Sequence, residues 1–408
     1  MAQTSHFHIY AWAKWLISIL AISFLVGTTS AFFLQALHIV TDLRENHLWL
    51  LIFLPFAGVM VVWCYNRFGG RAQKGNNLLL EEYYHPTIGI PWPMTPLIII
   101  TTLITHLFGG SAGREGTAVQ YGGSIADQCS RFFRWTKAER RVLLLCGIAA
   151  GFSSLFGTPL AGALFALEVV QIGKLRWRAA LPVLCTALLS NTVCGVYGDL
   201  HTHYPALALL PALHFSFFSA IVIAGLAFGV AAQLFSRMGE WFAHLFSYVK
   251  QPLVRPLIGG TLIIIAVYAL QSSKYIGLGI PTILLAFQEP LPSSDFLIKT
   301  VLTCITLSAG FKGGEVTPLF FIGATLGNAL APILPIPLSI LAAMGFVSVF
   351  AGCTKTPLAC TVMAMELFGW DYSFIFLAVC LISYVVSGKT GIYSAQRKKG
   401  SLTTMRWL

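Results

Sequence analysis

Gly113-Arg114-Glu115-Gly116-Thr117 and, 200 residues further on, Gly313-Gly314-Glu315-Val316-Thr317 are almost the same piece of chain, with a Ser-Ala-Gly leading into each at 111–113 and 308–310. A second pair keeps nearly the same spacing. Thr158-Pro159-Leu160-Ala161 leads to Ala166 and Glu168, and Thr356-Pro357-Leu358-Ala359 leads to Ala364 and Glu366, an offset of 198. The chain is therefore an internal duplication, with halves at roughly 15–200 and 211–395 and carboxylates placed alike in both. These acids adjoin apolar sequence, where an ionised group is costly, and in a membrane that placement points to transport.

Composition supplies the membrane. Hydrophobic residues make up 56% and charged residues 10% of the 408, against about 25% charged in a soluble domain. Uncharged stretches run over 15–41, 46–66, 142–167, 179–198, 200–236, 256–273, 316–354 and 372–388. Several exceed the roughly 20 residues of one spanning helix, and the two longest, 200–236 and 316–354, are expected to fold back on themselves. Ten or more helices are expected. Period-two alternation with regular turn signals is missing, which argues against a transmembrane barrel.

The first apolar stretch lacks the pattern of a cleaved signal peptide and is expected to stay in the mature protein after a short polar lead, 1–14. Too little chain follows Tyr393 for an appended cytoplasmic domain, so 1–408 reads as a single transmembrane unit.

A net charge of +11 would suit nucleic acid, but the basic residues sit in brief clusters between apolar stretches, and topology explains them better. Arg131, Arg134, Lys137, Arg140 and Arg141 form one cluster; Lys174, Arg176 and Arg178 a second; Arg397, Lys398 and Lys399 a third. The positive-inside rule puts all three, and both termini, on the cytoplasmic side. The segment 142–173 then begins and ends on one side, which predicts a hairpin of two short helices around Gly157-Thr158-Pro159. Nine cysteines without Cys-x-x-Cys spacing read as small apolar residues, with no disulfide framework or metal site. No cofactor is expected.

Glu115 follows the glycine-rich run Gly109-Gly110-Ser111-Ala112-Gly113 and precedes a helix-like stretch. The first N–H groups of a helix lack partners and carry partial positive charge, so such a start attracts anions. A glutamate there occupies the anion's place when charged and leaves it when protonated, which would make one side chain both gate and proton carrier. The competing reading is a glutamate that stabilises its own helix or pairs with Arg114.

Gly113-Arg-Glu-Gly-Thr117, followed by Ala-Val-Gln-Tyr-Gly-Gly, resembles the signature of the CLC anion channels and anion/proton antiporters. The paired Thr-Pro-Leu-Ala hairpins and Gly388-Lys389-Thr390-Gly391-Ile392-Tyr393-Ser394 resemble the same family, the latter its pore-tyrosine segment. The resemblance implies an all-α, inverted-repeat membrane fold and a homodimer with one ion path per subunit. It makes Glu115 the gating glutamate, with Gly113, Arg114, Gly116 and Tyr393 along the anion path.

Three positions depart from the chloride-transporting members. Gly75-Asn76-Asn77-Leu78 stands where those have Gly-Ser-Gly-Ile-Pro, Gly313-Gly314-Glu315-Val316-Thr317-Pro318 where they have Gly-Gly-x-Phe-x-Pro, and Thr117 where they have proline. Together these are similar to the fluoride-exporting branch. The inner acid that chloride/proton exchangers commonly carry just after the position of Glu168 is Val169 here. Glu315 offers a replacement as a second proton-transfer group, and the amide of Asn76 and the start of the second repeat at Val316 and Thr317 offer donors to a small, strongly accepting anion. Glu315 as a capped structural acid is the competing reading.

Glu168 and Glu366 are expected to form structural ion pairs. His106 is read as buried and bonded to backbone, and His201 and His203 as an external loop. The function expected is a fluoride/proton antiporter of a bacterial inner membrane, surrounded by lipid, that exports cytoplasmic fluoride against inward protons. A chloride/proton antiporter or passive anion channel of the same fold is the alternative. An integral-membrane enzyme would need a metal cluster, paired Asp motifs or an activated nucleophile, and none is found.

Overall fold

The computed structural model describes residues 2–210 and 214–397; Lys398 and Lys399 of the third basic cluster lie outside them. The first half holds α1 (Ala2–Asn46), α2 (Leu54–Cys64), α3 (Asn76–Tyr84), α4 (Met94–Leu107), α5 (Glu115–Phe132), α6 (Lys137–Phe156), α7 (Pro159–Glu168) and α8 (Ala180–Val196). The second holds α9 (Phe215–Ser247), α10 (Val254–Leu270), α11 (Ile280–Leu285), α12 (Asp295–Ser308), α13 (Val316–Leu330), α14 (Leu338–Thr354), α15 (Pro357–Phe368) and α16 (Ser373–Val386). Among the described residues the fold is all-α, with two isolated β-bridges and no strand.

The packing repeats with the sequence. Helix α1 lies on α6 and α8 as α9 lies on α14 and α16, and α5 lies on α6 as α13 lies on α14. Small residues bring the latter pairs close, as membrane helices require where no hydrophobic effect drives them together. A Cβ added at Gly122 would fall 2.2 Å from the Gly147 carbonyl oxygen, and one at Gly323 would fall 2.0 Å from that of Gly345.

The orientation of the halves follows from four hydrogen bonds. At the end of α7, Glu168 accepts the N–H groups of Leu358 and Ala359 at the start of α15, at 3.3 and 2.9 Å. At the end of α15, Glu366 accepts those of Leu160 and Ala161 at the start of α7, at 2.9 and 2.8 Å. Each helix presents a glutamate of its last turn to the other's first turn, so the two run antiparallel and the repeat is inverted. This corrects the expectation of ion pairs at Glu168 and Glu366, because the partial positive charge of the opposing helix start takes the place of a basic side chain.

Among the described residues, four helical stretches are long and apolar enough to cross a bilayer: Trp12–Asn46, Leu48–Lys74, Trp177–Val196 and Phe215–Ser247. Many others are shorter. The stretch 316–354 folds back as expected, into α13 and α14. The stretch 200–236 does not: 201–210 is irregular and α9 alone follows, because His201, Thr202 and His203 are polar and Pro205 interrupts helix. The hairpin expected over 142–173 forms as α6 and α7. Thr136 and Glu139 start α6 with a reciprocal capping box, and Gly157 ends it in the left-handed region at φ 80°.

Arg140 and Arg141 of the first basic cluster, Arg176 of the second and Arg397 of the third come together around the end of α3. Arg140 reaches both Asp127, at 2.5 Å, and Glu82, at 2.9 Å. Arg141 donates to the Tyr84 carbonyl, Arg176 lies over the Tyr83 ring and Arg397 over the Tyr84 ring.

Candidate functional site

The two repeated motifs meet at the centre. Gly113 and Gly314 exchange both backbone hydrogen bonds, at 2.6 and 2.7 Å, in a single antiparallel bridge. That bridge places the starts of α5 and α13 against each other. The Ser111 hydroxyl, 2.9 Å from that of Thr303, and its N–H, donated to Thr306 at 3.1 Å, tie the first motif to α12 of the other half. His106 is buried, with Nε2 3.4 Å from the Gly113 carbonyl oxygen.

Glu115 opens α5, yet its carboxylate serves α13. One oxygen accepts the Thr317 N–H at 3.0 Å and the Thr317 hydroxyl at 2.6 Å, with the Arg114 N–H at 3.3 Å. The Thr317 amide is one of the helix-start donors without an intrahelical partner, so the carboxylate sits where a free anion would. Its other oxygen has no hydrogen-bond partner and lies 3.6 Å from Arg114 Nε. Glu115 is 1% exposed.

Glu315 and Asn76 close on the same point from the other sides. A Cβ added at Gly116 would lie 3.3 Å from the Asn76 side-chain nitrogen and 3.5 Å from a Glu315 carboxyl oxygen. A side chain at Gly116 would therefore fill the space they share. Glu315 is the residue before α13, but its side chain makes no capping bond, and the oxygen nearest Gly116 is shielded and unpartnered. The competing reading, a capped structural acid, finds no capping bond in its support. The Asn76 carbonyl oxygen and the buried Tyr393 hydroxyl are unpartnered as well. Four unpartnered polar atoms, on Glu115, Glu315, Asn76 and Tyr393, are a costly arrangement in an interior.

Two cavities approach this centre and share no lining residue. One of about 740 Å³ ends at Arg114, beside Asp199, His201 and Thr202. The other, of about 460 Å³, ends at Glu315 and Tyr393.

The remaining sequence candidates divide. Val316, the first residue of α13, is buried in the core. The Arg114 guanidinium turns to the larger cavity and donates to Thr202 at 3.1 Å. Thr117 meets the Thr102 hydroxyl at 2.8 Å. Residues that sequence reasoning did not assign hold the Tyr393 loop. The Ala395 N–H donates to the Asn77 side chain at 3.0 Å, and Gln396 donates to the Val169 and Thr354 carbonyls. Buried Lys355 donates to Ser387 and to the Gly388 carbonyl. Only Asn77 carried a signal, by its place beside Asn76.

A family profile described as Voltage gated chloride channel matches residues 57–388. The chain belongs to the voltage-gated chloride channel (CLC) family. Among its CLC relatives is a protein of Pseudomonas syringae pv. tomato named Chloride/fluoride channel protein, 48% identical over 395 residues that cover 94% of this chain and 86% of the relative. The crystal structure of a CLC-type fluoride/proton antiporter superposes with a TM-score of 0.92 at 36% identity, covering 95% of this chain and 98% of that one. A slow cyanobacterial Cl-/H+ antiporter shares the fold, with a TM-score of 0.78 at 20% identity over 93% and 96% of the two chains. The CLC fold expected from the motifs is thus the fold observed.

Proposed function

We propose that this chain is an antiporter that exports cytoplasmic fluoride in exchange for inward protons. The observation that carries the reading is the carboxylate of Glu115 seated on the N–H and O–H of Thr317, with the Asn76 amide and the Glu315 carboxyl beside Gly116. Fluoride is small and strongly hydrogen-bond accepting, and it gives up water only to donors as good as water. An amide, a hydroxyl and a helix start are such donors, and a protonated carboxyl is another.

Exchange follows from competition for one place. Charged Glu115 excludes the anion; protonated Glu115 releases Thr317 to it. Each anion admitted thereby requires a proton on Glu115. Glu315, with its unpartnered oxygen, takes the proton onward, and Tyr393 lines the inner approach. In this reading Gly113, Gly116 and Val316 contribute backbone around the anion and Arg114 a positive charge on the outer side. The basic end of the molecule is cytoplasmic, both termini lie there, and the membrane is a bacterial inner membrane. The chain is one transmembrane unit that works as a homodimer with an ion path in each subunit.

The name of the Pseudomonas relative favours a second reading, a channel that passes chloride as well. Efflux from liposomes holding the purified protein, followed with fluoride and chloride electrodes and a pH probe, separates the two. Fluoride efflux well above chloride efflux, with accompanying proton uptake, is expected, and Asn76→Ser should narrow the preference. Equal movement of both anions without protons would overturn the proposal.

A further inference from the structure

The 460 Å³ cavity that ends at Glu315 holds a second carboxylate, Glu240, on α9. The position where exchangers of this fold commonly place an inner acid is Val169. It is 3% exposed and borders an apolar void of about 10 Å³, room for about one water at most. Glu315 is not among the residues that line that void. The 460 Å³ cavity is many times the ~30 Å³ share of a water, and Ser236, Ser308 and Thr390 line it with hydroxyls.

We infer that this cavity is the inner half of the proton route and that Glu240 is its cytoplasmic terminus, a reading that rests on the antiport function proposed above. Ser236, Gly239, Glu240 and Ala243 recur at helical spacing, so one face of α9 lines the cavity. Glu240 is exposed, two turns before the end of α9. Ile172, on the same cavity, donates its N–H to the Arg397 carbonyl, which places the opening toward the basic end. At the other extreme, Glu315 and Tyr393 present shielded, unpartnered oxygens.

The step is a simple transfer. Protonated Glu315 gives its proton to a water chain, the chain delivers one to the Glu240 carboxylate, and Glu240 releases it to bulk water; Glu315 is left ionised and no other bond changes. Of the other titratable groups, Lys389 and Tyr393 on the facing loop and Cys304 on α12 line the cavity, and Lys312 acts on Glu315 electrostatically from the preceding loop.

The test is fluoride efflux driven by an imposed proton gradient in liposomes holding the full-length protein, read with an electrode at low and high concentrations of a small mobile buffer on both faces. Glu240→Gln should slow efflux on the order of tenfold at low buffer, because a positioned proton carrier is lost. High buffer should restore the rate by taking over delivery, and Glu240→Asp should keep most of it. Equal rates for wild type and Glu240→Gln at low buffer, or a loss that buffer does not rescue, would overturn the route while leaving the antiport function standing. A wild-type protein that moves fluoride with no response to the proton gradient would overturn both.

Discussion

Thr317 gives both its backbone N–H and its hydroxyl to a single carboxylate oxygen of Glu115, a residue 202 positions away in the opposite repeat. The contact joins the start of one inverted helix to the start of the other, and in the exchange proposed above the charge of that one side chain decides whether the donors are free for an anion.

Glutamine in place of Glu115 keeps the size and removes the charge. Glu115→Gln is expected to abolish the proton flux that accompanies fluoride. Anion movement either stops, because the gate no longer cycles, or continues uncoupled. Proton uptake driven by a fluoride gradient at the wild-type rate would refute the gating role.

The same variant isolates Thr317, because it removes the charged competitor. In a Glu115→Gln background, Thr317→Val deletes a hydroxyl donor with little change in volume. A hydrogen bond to a charged group contributes about 1.5–3 kcal/mol, so fluoride affinity measured by titration calorimetry should fall by roughly tenfold or more. Unchanged affinity would take the hydroxyl out of the anion site.

Much of this was legible in the sequence, and what was not has a common cause. The duplication, the hairpin at Gly157 and the helix starts at Glu115 and Glu315 follow from local chemistry. The seat of Glu115 on the other repeat's helix does not, since a repeat shows which segments are equivalent but not which ends touch. Glu168 and Glu366 were misread for the same reason. Each looked like an acid in need of a cation, and the partner was a helix start encoded nearly 200 residues away. Arg114 turns toward the 740 Å³ cavity, where Thr202, in an irregular loop without a motif, accepts its hydrogen bond. The stretch 200–236 misled by composition, where a proline and polar residues outweighed an uncharged run.

The reciprocal bonds of Glu168 and Glu366 make a paired expectation. Each carboxylate takes two backbone N–H groups, whereas glutamine offers one acceptor and turns an N–H against the second donor. Glu168→Gln and Glu366→Gln should each cost about 1–3 kcal/mol, seen as a lower unfolding temperature in detergent, with the ratio of fluoride to chloride efflux unchanged. The double variant should depart from additivity, because both changes fall in one helix pair. A large loss for one and none for the other would show that the pair is not energetically symmetric.

The last expectation concerns acid, at the basic end and outside the spanning helices. Burial alone would raise the pKa of the Glu82 carboxyl; hydrogen bonds from Arg140, Arg71 and the Thr87 hydroxyl and N–H outweigh it and hold the group at about 2. An unfolded glutamate titrates near ~4.3. Because the folded value is the lower one, the folded state gains stability from this group that is fully present above the unfolded value and is lost as pH falls through that value toward about 2. Wild-type protein in detergent should therefore lose stability between pH ~4.3 and ~2. Glu82→Gln should flatten that part of the profile and lower stability at neutral pH, where Arg71 loses its carboxylate and Arg140 keeps only Asp127. Parallel profiles for the two proteins across the acid range would mean that Glu82 is not the group that titrates there.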